Sequence, residues 1–228
     1  MISVVKSQPQ VLDLGDIKYI VVEGPIGVGK TSLAKRLAAT LKCELMLEQA
    51  DENPFLEQFY RNRRQAALPT QLFFLLQRAR QMEQFRHSDL FADIKVADYL
   101  LAKDRLFAEL NLNANELELY NRLAATLDLD PPQPDLVIYL QAPAPVLMKR
   151  VAARGLSYEQ TIDLGYLERL GEAYARFFYE FDGAPLLIVN AESIDPINRE
   201  SDYADLLRTI SRVRRGRHFY NPTAGAIA

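Results

Sequence analysis

Tyr19-Ile20-Val21-Val22-Glu23-Gly24-Pro25-Ile26-Gly27-Val28-Gly29-Lys30-Thr31 joins a short apolar run to a complete G-x-x-x-x-G-K-[ST] loop. Each loop position has a mechanical task. The glycines let backbone N–H groups crowd around phosphates, Lys30 reaches the terminal phosphates, and the Thr31 hydroxyl ligates Mg²⁺. The stripe Leu33, Leu37, Leu41 that follows has helical spacing, so a helix opens at Gly29 and turns its positive dipole end toward the same point. Strand, loop and helix in this order predict a nucleotide-phosphate site formed by Gly24, Gly27, Val28, Gly29, Lys30, Thr31 and Ser32.

Four further apolar runs have the look of buried strands: Glu44 to Leu47, Ile94 to Ala97, Leu136 to Leu140 and Leu187 to Val189. Helical patterns lie between and after them, at Thr31 to Leu41, Phe55 to Ala66, Thr70 to Phe85, Leu101 to Leu110, Asn115 to Leu127, Ala144 to Ala153, Leu164 to Phe181 and Asp202 to Arg212. Pro69 is expected to separate the second of these from the third, where Leu72, Phe73, Leu75, Leu76, Ala79 and Met82 form a broad apolar face. Alternating strands and helices predict an α/β fold of the P-loop NTPase type, a five-stranded parallel sheet with helices on both faces. Residues 17–213 form the expected domain, with an N-terminal extension over 1–16 and a C-terminal tail over 214–228. The run Arg212, Arg214, Arg215, Arg217 near the tail is expected to be a solvated helix end.

With 228 residues and 49% hydrophobic content, the chain suits one substantial domain. Its net charge of −3 disfavours an electrostatic nucleic-acid binder. A single cysteine, Cys43, leaves no intrachain disulfide or Cys-rich zinc site and fits a reducing cytoplasm. Neither a signal-peptide pattern nor an apolar run of membrane-spanning length is visible. A small-molecule substrate is expected, with no membrane and no nucleic acid as partner.

The phosphate loop alone does not choose among a GTPase switch, an ATPase and a small-molecule kinase. No N-K-x-D string occurs, and no D-x-x-G follows the third strand. Glu48, by contrast, stands at the carboxyl end of the second strand, on the edge that faces the ligand crevice in open α/β sheets. A carboxylate there can accept the proton of a substrate hydroxyl as it attacks a γ-phosphoryl group.

The loop over Gly24 to Thr31 combines with several weaker motifs. They are Glu48 followed by Glu52-Asn53-Pro54-Phe55-Leu56, Gln71 with Arg78, Asp98-Tyr99 with Asp104, and Arg150 and Arg154 before Glu159. In this order and spacing they resemble the deoxynucleoside kinase family, in particular its bacterial deoxyadenosine and deoxyguanosine kinases, from about Tyr19 to Asn190. The resemblance implies ATP as phosphate donor, Mg²⁺, a deoxynucleoside acceptor, expected to be a purine one, a cytoplasmic enzyme of nucleotide salvage, and a homodimer. It implies Glu48 as general base for the 5′-hydroxyl; Gln71, Arg78 and Asp104 at the base; Tyr60 and Glu159 at the sugar 3′-hydroxyl; and Arg150 and Arg154, with Lys30, at the transferring phosphoryl group. Arg150, Arg154 and Glu159 fall where the family has a short mobile lid, and Asn190 to Asp195 where it has a loop over the donor adenine. Thr31 is the implied metal ligand, with Asp98 or Glu48 acting through water.

Two positions depart from the pattern of many relatives. Leu156 stands where they carry a second lid arginine, and Tyr99 where they carry an arginine, although some bacterial purine-type members share Asp-Tyr there. Both purine rings can meet Gln71, Arg78 and Asp104 with different donor patterns, so the base remains open. The rivals are a thymidylate-type monophosphate kinase, whose acceptor is already an anion, and a non-catalytic nucleotide-binding regulator, which would lack the base, the lysine or the metal ligand.

Overall fold

The computed structural model of the chain describes residues 14–87, 94–127, 129 and 131–222. Most of the expected N-terminal extension and the last part of the expected tail lie outside them, as does the segment 88–93 before the third strand.

The strands are β1 (Tyr19–Glu23), β2 (Glu44–Met46), β3 (Lys95–Ala97), β4 (Leu136–Gln141), β5 (Leu186–Asn190) and β6 (Arg217–Tyr220). All pair in parallel in the order β2-β3-β1-β4-β5-β6. The five expected strands are present, and among the described residues the sheet has six. The additional β6 lies in the segment expected to be a tail, where Arg217-His218-Phe219-Tyr220 carries no buried apolar run and pairs with β5 at an edge. A strand held by ladder hydrogen bonds on one side leaves little periodicity to read. Arg217, expected to be solvated, donates to the carbonyls of Phe178 and Tyr179 at 3.0 and 2.9 Å.

The helices are α1 (Lys30–Leu41), α2 (Leu56–Arg61), α3 (Arg63–His87), α4 (Lys103–Asn111), α5 (Ala114–Thr126), α6 (Ala144–Arg154), α7 (Leu164–Glu180) and α8 (Glu200–Ile210). α1 buries Leu33, Ala34, Leu37 and Ala38 against the sheet. α7 buries Tyr166, Leu167, Leu170, Tyr174 and Phe178, and Phe178 stacks on Tyr139 of β4 at 4.1 Å between ring centroids. α5 opens with a capping box, in which Asn113 accepts from the backbone of Glu116 and the Glu116 carboxylate accepts from the Asn113 N–H. No helix among the described residues is long and apolar enough to cross a membrane.

The expected break at Pro69 is not there. The chain breaks at Asn62, and Pro69 lies inside α3. Proline deprives the Gln65 carbonyl of its helical donor, yet Ala67, Thr70, Gln71, Leu75, Arg78 and Met82 continue one buried face across it. Packing overrides the local signal. That face is also less apolar than expected, because Gln71 and Arg78 are buried while Leu76 is 50% exposed.

Two glycines of the phosphate loop differ in what constrains them. Both have positive φ, but a Cβ on Gly24 would lie 2.3 Å from the Leu140 carbonyl oxygen, whereas one on Gly29 would meet nothing within 4 Å. Gly29→Ala is expected to cost about 1–2 kcal/mol, for the left-handed backbone alone. Gly24→Ala should cost roughly a further 1–3 kcal/mol, from the clash with main chain. Urea unfolding of the two variants measures this; equal losses would mean that the β4 backbone yields.

Candidate active site

The carboxyl ends of β1, β2 and β3 converge on the phosphate loop, and the first helical turns beyond them carry the site. Asp98, just past β3, accepts from the Thr31 hydroxyl at 2.5 Å with one oxygen and from the Glu48 N–H at 2.7 Å with the other. This carboxylate therefore sets the distance between the phosphate loop and Glu48. Below it, the fully buried Glu23 accepts from the N–H groups of Gly24 and Leu100, each at 2.7 Å, and from the Tyr174 hydroxyl at 3.0 Å. Sequence reading passed over Glu23, because a charged strand terminus ordinarily points to solvent.

Glu48 faces two cations. Arg78, two turns along α3 from Gln71, donates to one oxygen, and Lys103, the first residue of α4, lies 2.7 Å from the other. Burial alone would raise the Glu48 carboxyl, but Lys103 and then Arg78 outweigh it and hold it at about 2. Burial and the neighbouring Lys103 charge lower the Lys30 ammonium to about 8. Burial would likewise lower Arg78, but the Asp104 and Glu48 carboxylates raise it and keep it cationic. Lys103 also escaped the sequence reading, since a lysine opening an amphipathic helix is usually solvated. Here only 5% of its side chain is exposed.

A cavity enclosing about 140 Å³ runs from the phosphate loop to α3. Of the expected site residues it brings together Gly27, Lys30, Thr31, Glu48, Tyr60, Gln71, Arg78, Asp98, Arg154 and Glu159. Phe74 and Phe107 supply flat apolar wall, and Tyr158, unforeseen, stacks on Tyr60 with an interplanar angle of 8°. Burial, with Tyr166 and Glu159 close by, pushes the Tyr60 phenol well above its ordinary value, so it stays a donor. Arg154 and Glu159 form a two-point ion pair, with Nε to Oε2 at 3.0 Å.

Six expected residues stand elsewhere: Gly24, Val28, Gly29, Ser32, Asp104 and Arg150. Asp104 does not line this cavity: it sits behind Arg78, held by that guanidinium and by the Tyr120 hydroxyl at 2.5 Å, and it lines a separate cleft with Leu75 and Arg105. Arg150 donates to the carbonyls of Val28 and Ala191, at 3.1 and 2.7 Å, and so ties the phosphate loop to the segment after β5. A second cavity, about 570 Å³, opens there. Val28, Gly29, Ser32, Arg150, Arg154 and Asp195 are among its lining residues. Gly24 is enclosed beneath the loop, next to Leu140.

Thr31 Oγ1 and Asp98 present hard oxygen donors side by side at the phosphate-loop end of the first cavity. That set fits Mg²⁺, which takes one or two protein oxygens and completes its octahedron with phosphates and water.

A family model described as Deoxynucleoside kinase matches residues 20–214. A deoxyguanosine kinase of Bacillus subtilis is 34% identical over 192 residues, covering 81% of this chain and 92% of its own. A deoxyadenosine kinase of Lactobacillus acidophilus is 27% identical over 213 residues, covering 87% of this chain and 97% of its own. Among solved structures, a deoxyadenosine kinase from M. mycoides with bound dATP superimposes with a TM-score of 0.72 at 24% identity, covering 85% of this chain and 98% of that one. With the family match spanning the phosphate loop, the residues that line the first cavity and all but the last strand of the sheet, the chain belongs to the deoxynucleoside kinase family.

Proposed function

We propose that the chain transfers the γ-phosphoryl group of ATP to the 5′-hydroxyl of a purine deoxynucleoside, deoxyadenosine or deoxyguanosine, as a cytoplasmic salvage reaction. The observation that supports this most directly is the enclosed cavity with Lys30 and Thr31 at one end, Gln71 and Arg78 at the other, and Glu48 between them. A monophosphate acceptor would call for free arginines where Glu48 stands. In this reading the base lies against Gln71 and Arg78 between Phe74 and Phe107, and Tyr60 and Glu159 hold the 3′-hydroxyl. The 5′-oxygen is thereby aimed past Glu48 at the donor phosphates.

Glu48, ionised throughout the physiological range, aligns the hydroxyl and accepts its proton late, as befits a loose phosphoryl-transfer transition state. Lys30 and Arg154 face the charge that moves to the leaving phosphate, and Arg150 steadies the donor cavity. Mg²⁺ held by Thr31, with Asp98 through water, would neutralise the phosphates. Lys103 supplies the cation against Glu48 that many family members place at the position of Tyr99, whose hydroxyl here donates to Gln81 at 2.6 Å. Leu76, Leu119 and Leu123, exposed on α3 and α5, support a homodimer through these helices; light scattering of a Leu76→Glu variant tests it.

Assaying the four deoxynucleosides and their monophosphates with ATP tests the reaction, and turnover of monophosphates alone would reject it. Glu48→Gln should leave ATP binding nearly intact and cut turnover by about 10²-fold or more. With Lys30 near 8, kcat/KM for ATP should fall as pH rises above 8, because the free enzyme loses that positive charge. No acid limb from Glu48 should appear above about pH 4. Lys103→Met removes a cation that acts on both groups, so the basic limb should move upward and the Glu48 carboxyl should rise toward 4.5. A kcat/KM profile and a carbon-detected carboxyl titration read the two shifts.

A further inference from the structure

Part of the wall of the first cavity, Tyr158 and Glu159, belongs to a short segment between α6 and α7. Gly155 ends α6. At the far end Ile162 is buried in the core, and Asp163 accepts from the Tyr166 N–H at 2.7 Å and pairs with Arg63 of α3 at 2.8 Å. Between these ends several bonds turn inward. The N–H groups of Glu159 and Ile162 donate to the carbonyls of Leu156 and Glu159, and the Glu159 carboxylate pairs with Arg154. Tyr158 reaches outward instead: its hydroxyl donates to the Asp51 carboxylate at 2.5 Å, and its ring lies parallel to that of Tyr60, 6.3 Å between centroids.

Asp51 stands on a firm wall. It lies in the 3₁₀ turn Ala50–Glu52, just past Glu48. Gln77 of α3 donates to the Gln49 carbonyl and the Glu52 carboxylate, both at 3.1 Å, and Asn53 donates to the Thr70 carbonyl at 3.1 Å. The turn is thereby stitched to α3 on both sides. Asp51 itself is exposed and does not line the cavity. Burial and the Asp51 carboxylate raise the Tyr158 phenol, so it stays a donor. For the segment to lift between its ends, one charge-assisted hydrogen bond and one aromatic contact must break.

We propose that Tyr158 and Asp51 form a clasp that holds this segment against the Ala50–Glu52 turn, and that the clasp sets how fast the acceptor enters and the phosphorylated product leaves. Phosphoryl transfer, once the segment is closed, does not depend on it. Asp51 is a positioning residue: it acts through Tyr158 on the segment that carries Glu159. The kinetic role rests on the reading of the first cavity as the acceptor site; the clasp itself does not.

Hydrogen exchange of residues 155–162 in the ligand-free protein tests the clasp without any substrate. Asp51→Ala and Tyr158→Phe should each speed exchange there about tenfold, as the loss of one hydrogen bond to a charged group predicts. The double variant should exchange no faster than either single one, and Asp51→Asn, which keeps an oxygen acceptor, should restore most of the protection. Unchanged exchange would overturn the clasp. Stopped-flow binding of the deoxynucleoside that the wild type phosphorylates tests the kinetic role. In Asp51→Ala the association and dissociation rates should both rise about tenfold, with Kd and the single-turnover rate at saturation within about twofold of wild type. Faster exchange with unchanged binding rates, or a weaker Kd with an unchanged association rate, would overturn the gating role and leave the kinase reading intact. A wild type that phosphorylates no deoxynucleoside would reject the kinase reading, and the exchange comparison would still decide the clasp. Should Tyr158→Phe fail to fold, Asp51→Ala against Asp51→Asn decides it alone.

Discussion

One guanidinium organises the acceptor side of this protein. Arg78 is buried in α3 and pairs with Glu48 on one side and Asp104 on the other. A buried cation left without partners is far more costly than an exposed one, so the end of β2, the start of α4 and the middle of α3 must come together. Gln71, two turns earlier on α3, is fixed in the same stroke, because residues seven apart share a helix face. Gln71, Arg78 and Glu48 are thus mounted on one helix and one ion pair.

The donor side depends on Asp98 and Glu23. Asp98 binds the Thr31 hydroxyl and the Glu48 backbone, while Glu23 binds the phosphate-loop N–H of Gly24 and the start of the β3–α4 turn at Leu100. Neither carboxylate faces solvent. Together they set the separation between the phosphate loop and Glu48. Arg150 performs a comparable task on the far side, bridging two backbone carbonyls across the second cavity.

The cations that face Glu48 and Glu159 come from positions of this chain other than Tyr99 and Leu156. Tyr99 contributes no charge to the cavity, yet Lys103 brings an ammonium to Glu48 from the next helix. Leu156 adds no second arginine beside Arg154, which rests against Glu159. Cations can be supplied from different places in the chain provided that they converge on the same oxygens, since Coulombic interaction depends on distance and dielectric rather than sequence position.

The sequence by itself determined the phosphate loop, five of the six strands and the identity of most cavity residues, because backbone conformation at Gly24 to Thr31 and the apolar runs are local properties. It misjudged Pro69, where long-range packing of one helix face outweighed a local break, and β6, whose only signal is its pairing with β5. It also assigned Asp104 to the base edge and read nothing from Lys103, Glu23 or Tyr120. Only tertiary structure decided those, because whether a charged side chain lines a cavity, backs another residue or faces water depends on which remote partners surround it.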